Sequence, residues 1–202
     1  MLTLIKEEFR KRSQFFLSIL HSFGLTPNHL TLIGFFLAIL SSILYSMGRA
    51  DRRFILLGGM LLLLSGLCDA LDGALAKLYD QTTVFGGILD STLDRIEEAI
   101  VISSIMLAGL CNLGVGLAAL VSSFSVSYIR SRAEVEGIET VNIGIAERAE
   151  RVLVLASASL FQAVDTGIVV LAIISTITVV QRLIHISQAR GTPRLGRQTR
   201  TL

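Results

Sequence analysis

Residues 54–94 read FILLGGMLLLLSGLCDALDGALAKLYDQTTVFGGILDSTLD. The stretch opens uncharged and apolar and then acquires five aspartates, of which Asp69, Asp72, Asp90 and Asp94 form two pairs about Asp80. Asp69 and Asp72 stand at i, i+3, and Asp90 and Asp94 at i, i+4. Either spacing places a pair on one face of a helix. A short turn around residues 80–84 separates the pairs. Asp72 lies eight residues before Asp80 and Asp90 six after Val84. At ~1.5 Å per residue these are depths of about 12 and 9 Å, so a helical hairpin brings the two pairs to nearly one level.

The rest of the chain places that hairpin in a bilayer. Of 202 residues, 52% are hydrophobic and 17% charged, with a mean hydropathy of +0.69. Soluble domains carry nearer a quarter charged residues. A net charge of +2, with basic residues dispersed along the chain, argues against a nucleic-acid partner. Cys68 and Cys111 are far apart in apolar segments and read as packing residues. His21, His29 and His185 share no ligand spacing and read as interfacial. No cleavable leader and no internal repeat are expected.

Residues 1–24 form the first unit, an interfacial amphipathic helix. Leu2, Ile5, Phe9, Phe16, Leu20 and Phe23 recur at helical spacing while charged residues occupy the other faces; such a stripe suits a helix lying in the membrane interface. Thr26 and Pro27 then supply a cap and a first helical residue. Apolar runs follow at 28–47, 54–67, 99–110, 113–126, 152–164 and 168–180. Several fall short of the ~20 residues of a full span. Each short run continues at one side into charged residues, as helices enclosing a polar cavity do. The fold class expected is therefore all-α integral membrane, with six transmembrane helices in a domain over residues 25–188. A basic, disordered tail is expected over 189–202.

Six spans place both termini on one side. All but Arg49, Arg52 and Arg53 of the 18 basic residues then fall at that side, which the positive-inside rule makes cytoplasmic.

Four carboxylates converging at a bilayer's edge repel one another and resist desolvation. Protonation or separate snorkelling would relieve that, but a divalent cation explains it better: carboxylate oxygens suit Mg²⁺ and Mn²⁺, and four could hold two ions. Around the acids Gly73, Ala74, Ala76, Gly86 and Gly87 leave room for a ligand, although glycines in spans also serve helix packing. An alternative of another class, a divalent-cation transporter, would place acids near the midplane or on both sides.

The pattern Asp69-x-x-Asp72-Gly73-x-x-Ala76-Lys77, then eight residues, then Gly86-x-x-x-Asp90-x-x-x-Asp94 resembles the signature of the CDP-alcohol phosphotransferase family. One position differs: Lys77 stands where the family usually has arginine, keeping the charge without the bidentate fork. The resemblance implies an enzyme that transfers a phosphatidyl-type group from a CDP-linked lipid to an alcohol, with release of CMP. It implies that Asp69, Asp72 and Asp90 hold metal ions, with Asp94 near the second ion and acting as general base. Asp69, Asp72, Gly73, Ala76, Lys77 and Gly86 would line the CDP-lipid site. A homodimer is also implied.

A second region bears on the acceptor. Ser127, Arg130 and Arg132 end the fourth apolar stretch, and Arg148 and Arg151 begin the fifth. Anchoring at the cytoplasmic face is one reading of these arginines. A phosphate pocket is the other, because converging guanidinium groups chelate phosphate. The pattern resembles the branch of the family that makes phosphatidylinositol phosphate or archaetidylinositol phosphate. That likeness implies inositol 1-phosphate as acceptor, bound by Ser127, Arg130, Arg132, Arg148 and Arg151. Glycerol 3-phosphate is the runner-up.

Overall fold

The computed structural model describes residues 17–140 and 143–189, which form helices and no strand. Six helices carry the architecture: α1 (Pro27–Met47), α2 (Arg52–Leu78), α3 (Val84–Leu107), α4 (Leu113–Val135), α5 (Arg148–Leu160) and α6 (Val164–Ala189). Each of the first four starts at a residue whose side-chain oxygen occupies a free backbone N–H. Thr26 accepts from His29 N, and the His29 ring returns the bond to Thr26 N, a reciprocal cap. Asp51, Thr83 and Asn112 cap α2, α3 and α4.

α1 packs on α2 and α3, α5 on α2 and α6, and α4 on α6 and α3. Small residues set these distances. Gly58 and Gly59 are buried on α2, and a Cβ at Gly59 would lie 2.5 Å from the Ser159 Cβ on α5. The core between the helices is built from Tyr45, Ile55, Leu62, Val101, Ile102, Ile105, Leu155 and Ile168. Its polar atoms are paired: the Tyr45 hydroxyl and Ser159 Oγ share a hydrogen bond of 2.6 Å, and Ser41 donates to Gly58 O at 2.7 Å.

Outside this core the large apolar side chains point outward: Phe36, Leu40, Val121, Ile173 and Leu183 are all at least half exposed. Four helices (α1, α2, α4 and α6) are long and apolar enough to cross a membrane. The other two differ from the sequence expectation in instructive ways. The apolar run at 99–110 is only the far end of α3, which has 24 residues and carries Asp90, Asp94, Arg95, Glu97 and Glu98. The run at 152–164 is broken: α5 stops at Leu160 after 13 residues, about 20 Å at 1.5 Å per residue. Gln162, at a positive φ of 60°, turns the chain there.

Of the expected interfacial helix, residues 1–16 lie outside the described residues. Residues 17–22 are helical, and Leu17 and Leu20 pack with Leu30 of α1 against Leu71 and Leu75 near the C-terminal end of α2. His21 stacks on Tyr79 with ring centroids 3.9 Å apart. Helix α6 runs one residue into the expected tail, to Ala189; residues 190–202 lie outside the described residues.

Candidate active site

The last turns of α2 and the first turns of α3 bring Asp69, Asp72 and Asp90 together, with one carboxylate oxygen from each within 4.8 Å of the others. Asp72 is buried and accepts a 2.6 Å hydrogen bond from Thr31 Oγ1 on α1. Asp90 Oδ1 is buried without a hydrogen-bond partner. An unpaired buried carboxylate oxygen such as that of Asp90 is costly, and three carboxylates at this spacing suit a hard divalent cation. The residues present therefore fit a metal.

Asp94 does not join this trio. It lies one turn further along α3, with Arg148 Nη1 2.7 Å from its Oδ1 and Arg95 Nη2 3.5 Å from its Oδ2. The expected quartet is thus three clustered carboxylates and a fourth held by guanidinium groups.

Space around the acids is divided differently from expectation. A Cβ at Gly73 or Gly87 would meet nothing within 4 Å, so these two glycines leave open volume. Gly86 does not: a Cβ there would meet Thr83 Oγ1 at 2.9 Å and Asn28 Oδ1 at 3.1 Å. Its small size serves the cap of α3 and the approach of α1. Ala76 is half-buried and Lys77 exposed at the end of α2.

Beside Asp90 and Asp94 opens a cavity of about 330 Å³, lined by Ser127, Arg130, Arg148 and Arg151 among the expected residues. Arg148 is the hub: Nη1 lies 2.6 Å from Asp69 and 2.7 Å from Asp94, while Nη2 reaches Glu97 at 2.5 Å. Arg151 is buried and grips Glu98 through two bonds of 2.6 and 2.9 Å. Arg130 pairs with Glu134 at 3.0 Å and faces Glu147 at 3.7 Å. Arg132 is not part of the lining; it is exposed and pairs with Glu136. The reason is angular: residues two positions apart on a helix differ by about 200°, so Arg130 and Arg132 cannot both face inward.

Sequence reasoning missed two arginines of the cavity. Arg95 lines it from α3 and bonds Ser127 Oγ. Arg182 lines it from α6; it is 1% exposed and donates to Val126 O, Ile143 O and Glu147. The available signal for Arg182 was a single arginine following the apolar run of the last helix, which reads equally as an anchor. Thr31, the partner of Asp72, carried no sequence signal.

A multi-pass helical membrane protein with a metal-suited carboxylate trio beside an arginine-lined cavity is the class that fold and site define. Residues 24–188 match the CDP-alcohol phosphatidyltransferase family, and the chain belongs to it. Among its relatives, the archaetidylinositol phosphate synthase of Pyrococcus horikoshii is 41% identical over 183 residues, covering 91% of this chain and 95% of that protein. The phosphatidylinositol phosphate synthase of Mycobacteroides abscessus is 28% identical over 93% of this chain and 89% of its own. The crystal structure of Mycobacterium tuberculosis phosphatidylinositol phosphate synthase with CDP-DAG bound superposes with a TM-score of 0.75 at 28% identity. It covers 91% of this chain and 98% of that one. The same enzyme in complex with manganese and citrate gives 0.76, covering 91% and 93%.

Proposed function

We propose that this enzyme transfers a phosphatidyl-type group from a CDP-linked lipid to inositol 1-phosphate, releasing CMP. The observation that carries the reading is the position of Asp94, on the wall of the arginine-lined cavity and one helical turn from the carboxylate trio. An acceptor whose phosphate sits among Arg130, Arg148, Arg151 and Arg182 then has a hydroxyl within reach of that carboxylate. Relatives named for archaetidylinositol phosphate and phosphatidylinositol phosphate synthesis, and a CDP-DAG-bound neighbour, support the same reading.

The chemistry follows from the residues. The acceptor hydroxyl oxygen attacks the lipid-side phosphorus, and its proton passes to an oxygen of Asp94. The bond from that phosphorus to the bridging oxygen breaks, and CMP leaves with the electron pair. Asp69, Asp72 and Asp90 would hold divalent cation, Mg²⁺ or Mn²⁺ and two ions in all, whose charge offsets that of the pyrophosphate and the departing CMP. Gly73 and Ala76 would border the CDP group, with Lys77 near its phosphates as a point charge. The carrier alternative loses its ground once the chain belongs to a phosphatidyltransferase family.

In this reading residues 25–188 are one membrane domain in which α3 and α5 complete six spans, their polar ends facing the site. The excess of basic residues on one side supports a cytoplasmic placement of the site, and the enzyme works as a homodimer. The test is an acceptor screen in membranes with CDP-lipid and Mg²⁺. Inositol 1-phosphate is expected to drive CMP release well above glycerol 3-phosphate, free inositol and serine, and excess EDTA to stop it. Preference for glycerol 3-phosphate would overturn the acceptor, and turnover in EDTA the metal.

A further inference from the structure

Two consecutive glutamates of α3 stand behind the cavity's arginines, outside the family signature and unused by the chemistry above. Glu97 is buried at 6% exposure. Its Oε2 accepts from Ser65 Oγ of α2 at 3.2 Å and from Arg148 Nη2 at 2.5 Å. Glu98 takes the fork of Arg151. Neither glutamate borders the open cavity. Both border a separate inner pocket of about 30 Å³ whose other walls are chiefly apolar, and Arg148 and Arg151 border both spaces. Arg148 and Arg151 thus stand between the two spaces, with Glu97 and Glu98 bordering only the chiefly apolar one.

We propose that Glu97 is a positioning residue for Arg148, setting the plane of its guanidinium so that it serves the acceptor phosphate. The inference rests on the reading of Arg148 as an acceptor ligand. Arg148 meets three carboxylates, and two of them, Asp69 and Asp94, have other work. A guanidinium drawn wholly to those two would occupy a metal-site acid and the base. Glu97 holds the Nη2 edge while Nη1 alone faces those two, and a planar fork held at one edge keeps a fixed orientation. The hold is itself braced. Ser65 precedes Asp69 by one turn on α2, and Glu97 follows Asp94 by one turn on α3, so both helices fix the same plane. Partners one step removed from a site commonly alter affinity or activity by tenfold or more.

The experiment compares KM for inositol 1-phosphate and for CDP-lipid in the parent, Glu97→Gln, Arg148→Ala and the double variant. Glutamine keeps the volume and a bond to Ser65 while removing the charge. Glu97→Gln is expected to raise the acceptor KM about tenfold, with little change in the KM for CDP-lipid. It should add nothing in the Arg148→Ala background, because it acts through that arginine. Glu97→Asp should recover part of the loss. If Glu97→Gln does not yield folded protein, Ser65→Ala removes only the brace; it should shift the acceptor KM the same way by less, and again not beside Arg148→Ala. An unchanged acceptor KM, an equal rise for both substrates, or additivity with Arg148→Ala would each overturn the inference. Arg148→Ala leaving acceptor KM untouched removes the reading beneath it, and the inference with it.

Discussion

Asp94 and Asp72 show how one residue type is given two settings by its neighbours. Asp72 points to the trio and is fixed by Thr31, whereas Asp94 faces the cavity among guanidinium groups. Asp94→Asn is therefore expected to lower turnover by about 10²–10⁴-fold while CDP-lipid binding, measured by titration, falls far less. Equal collapse of binding and turnover would make Asp94 a metal ligand. Thr31→Val removes the hydroxyl that bonds Asp72; Mn²⁺ affinity, read by calorimetry, should weaken by about tenfold to a hundredfold, and an unchanged isotherm would show that Asp72 needs no such support. The acids were legible in the sequence because both pairs sit on short, regular spacings in adjoining helices. Arg132 was placed in the pocket by resemblance; it is exposed and off the lining because helical angle separates it from Arg130. Arg182 was invisible because its partners, Val126, Ile143 and Glu147, lie far away along the chain.

At the scale of elements, the apolar runs located all six helices but traced only α1 to both ends; α2, α4 and α6 continue well past theirs. Hydropathy underrates α3, since charges facing a polar interior cost little helix stability yet end an apolar run. It overruns α5, because Val164 is as apolar as Leu160 and the turn between them is made by backbone conformation. The glycines of α2 divide into two kinds that composition cannot separate. Gly59 abuts α5 and Gly73 borders open space. Gly59→Val is expected to destabilise the fold by about 1–3 kcal/mol through overpacking, seen as a lower melting temperature in detergent. Gly73→Val should leave that temperature unchanged and weaken CDP-lipid binding. The reverse pattern would show that Gly73 is the packing residue.

For the molecule as a whole, the class was legible in the sequence, but not which helices touch: contacts such as α4 with α6 depend on shapes of surfaces that look alike in composition. Orientation is testable directly. In a variant lacking Cys68 and Cys111, cysteine replacing exposed Ala50 should react with an impermeant maleimide in intact cells. Cysteine replacing exposed Ser131 should react only after the membrane is opened; the opposite result would invert the topology. The turn at residues 79–83 has one more consequence. It joins the two helices that carry all four aspartates, so that half of the site is contained in one contiguous segment, while Arg130, Arg148, Arg151 and Arg182 come from three later helices. Inheritance can therefore alter the choice of alcohol by changes confined to the later helices, leaving the bond-breaking apparatus intact. A lineage can acquire a new head group without relearning how to cleave a pyrophosphate.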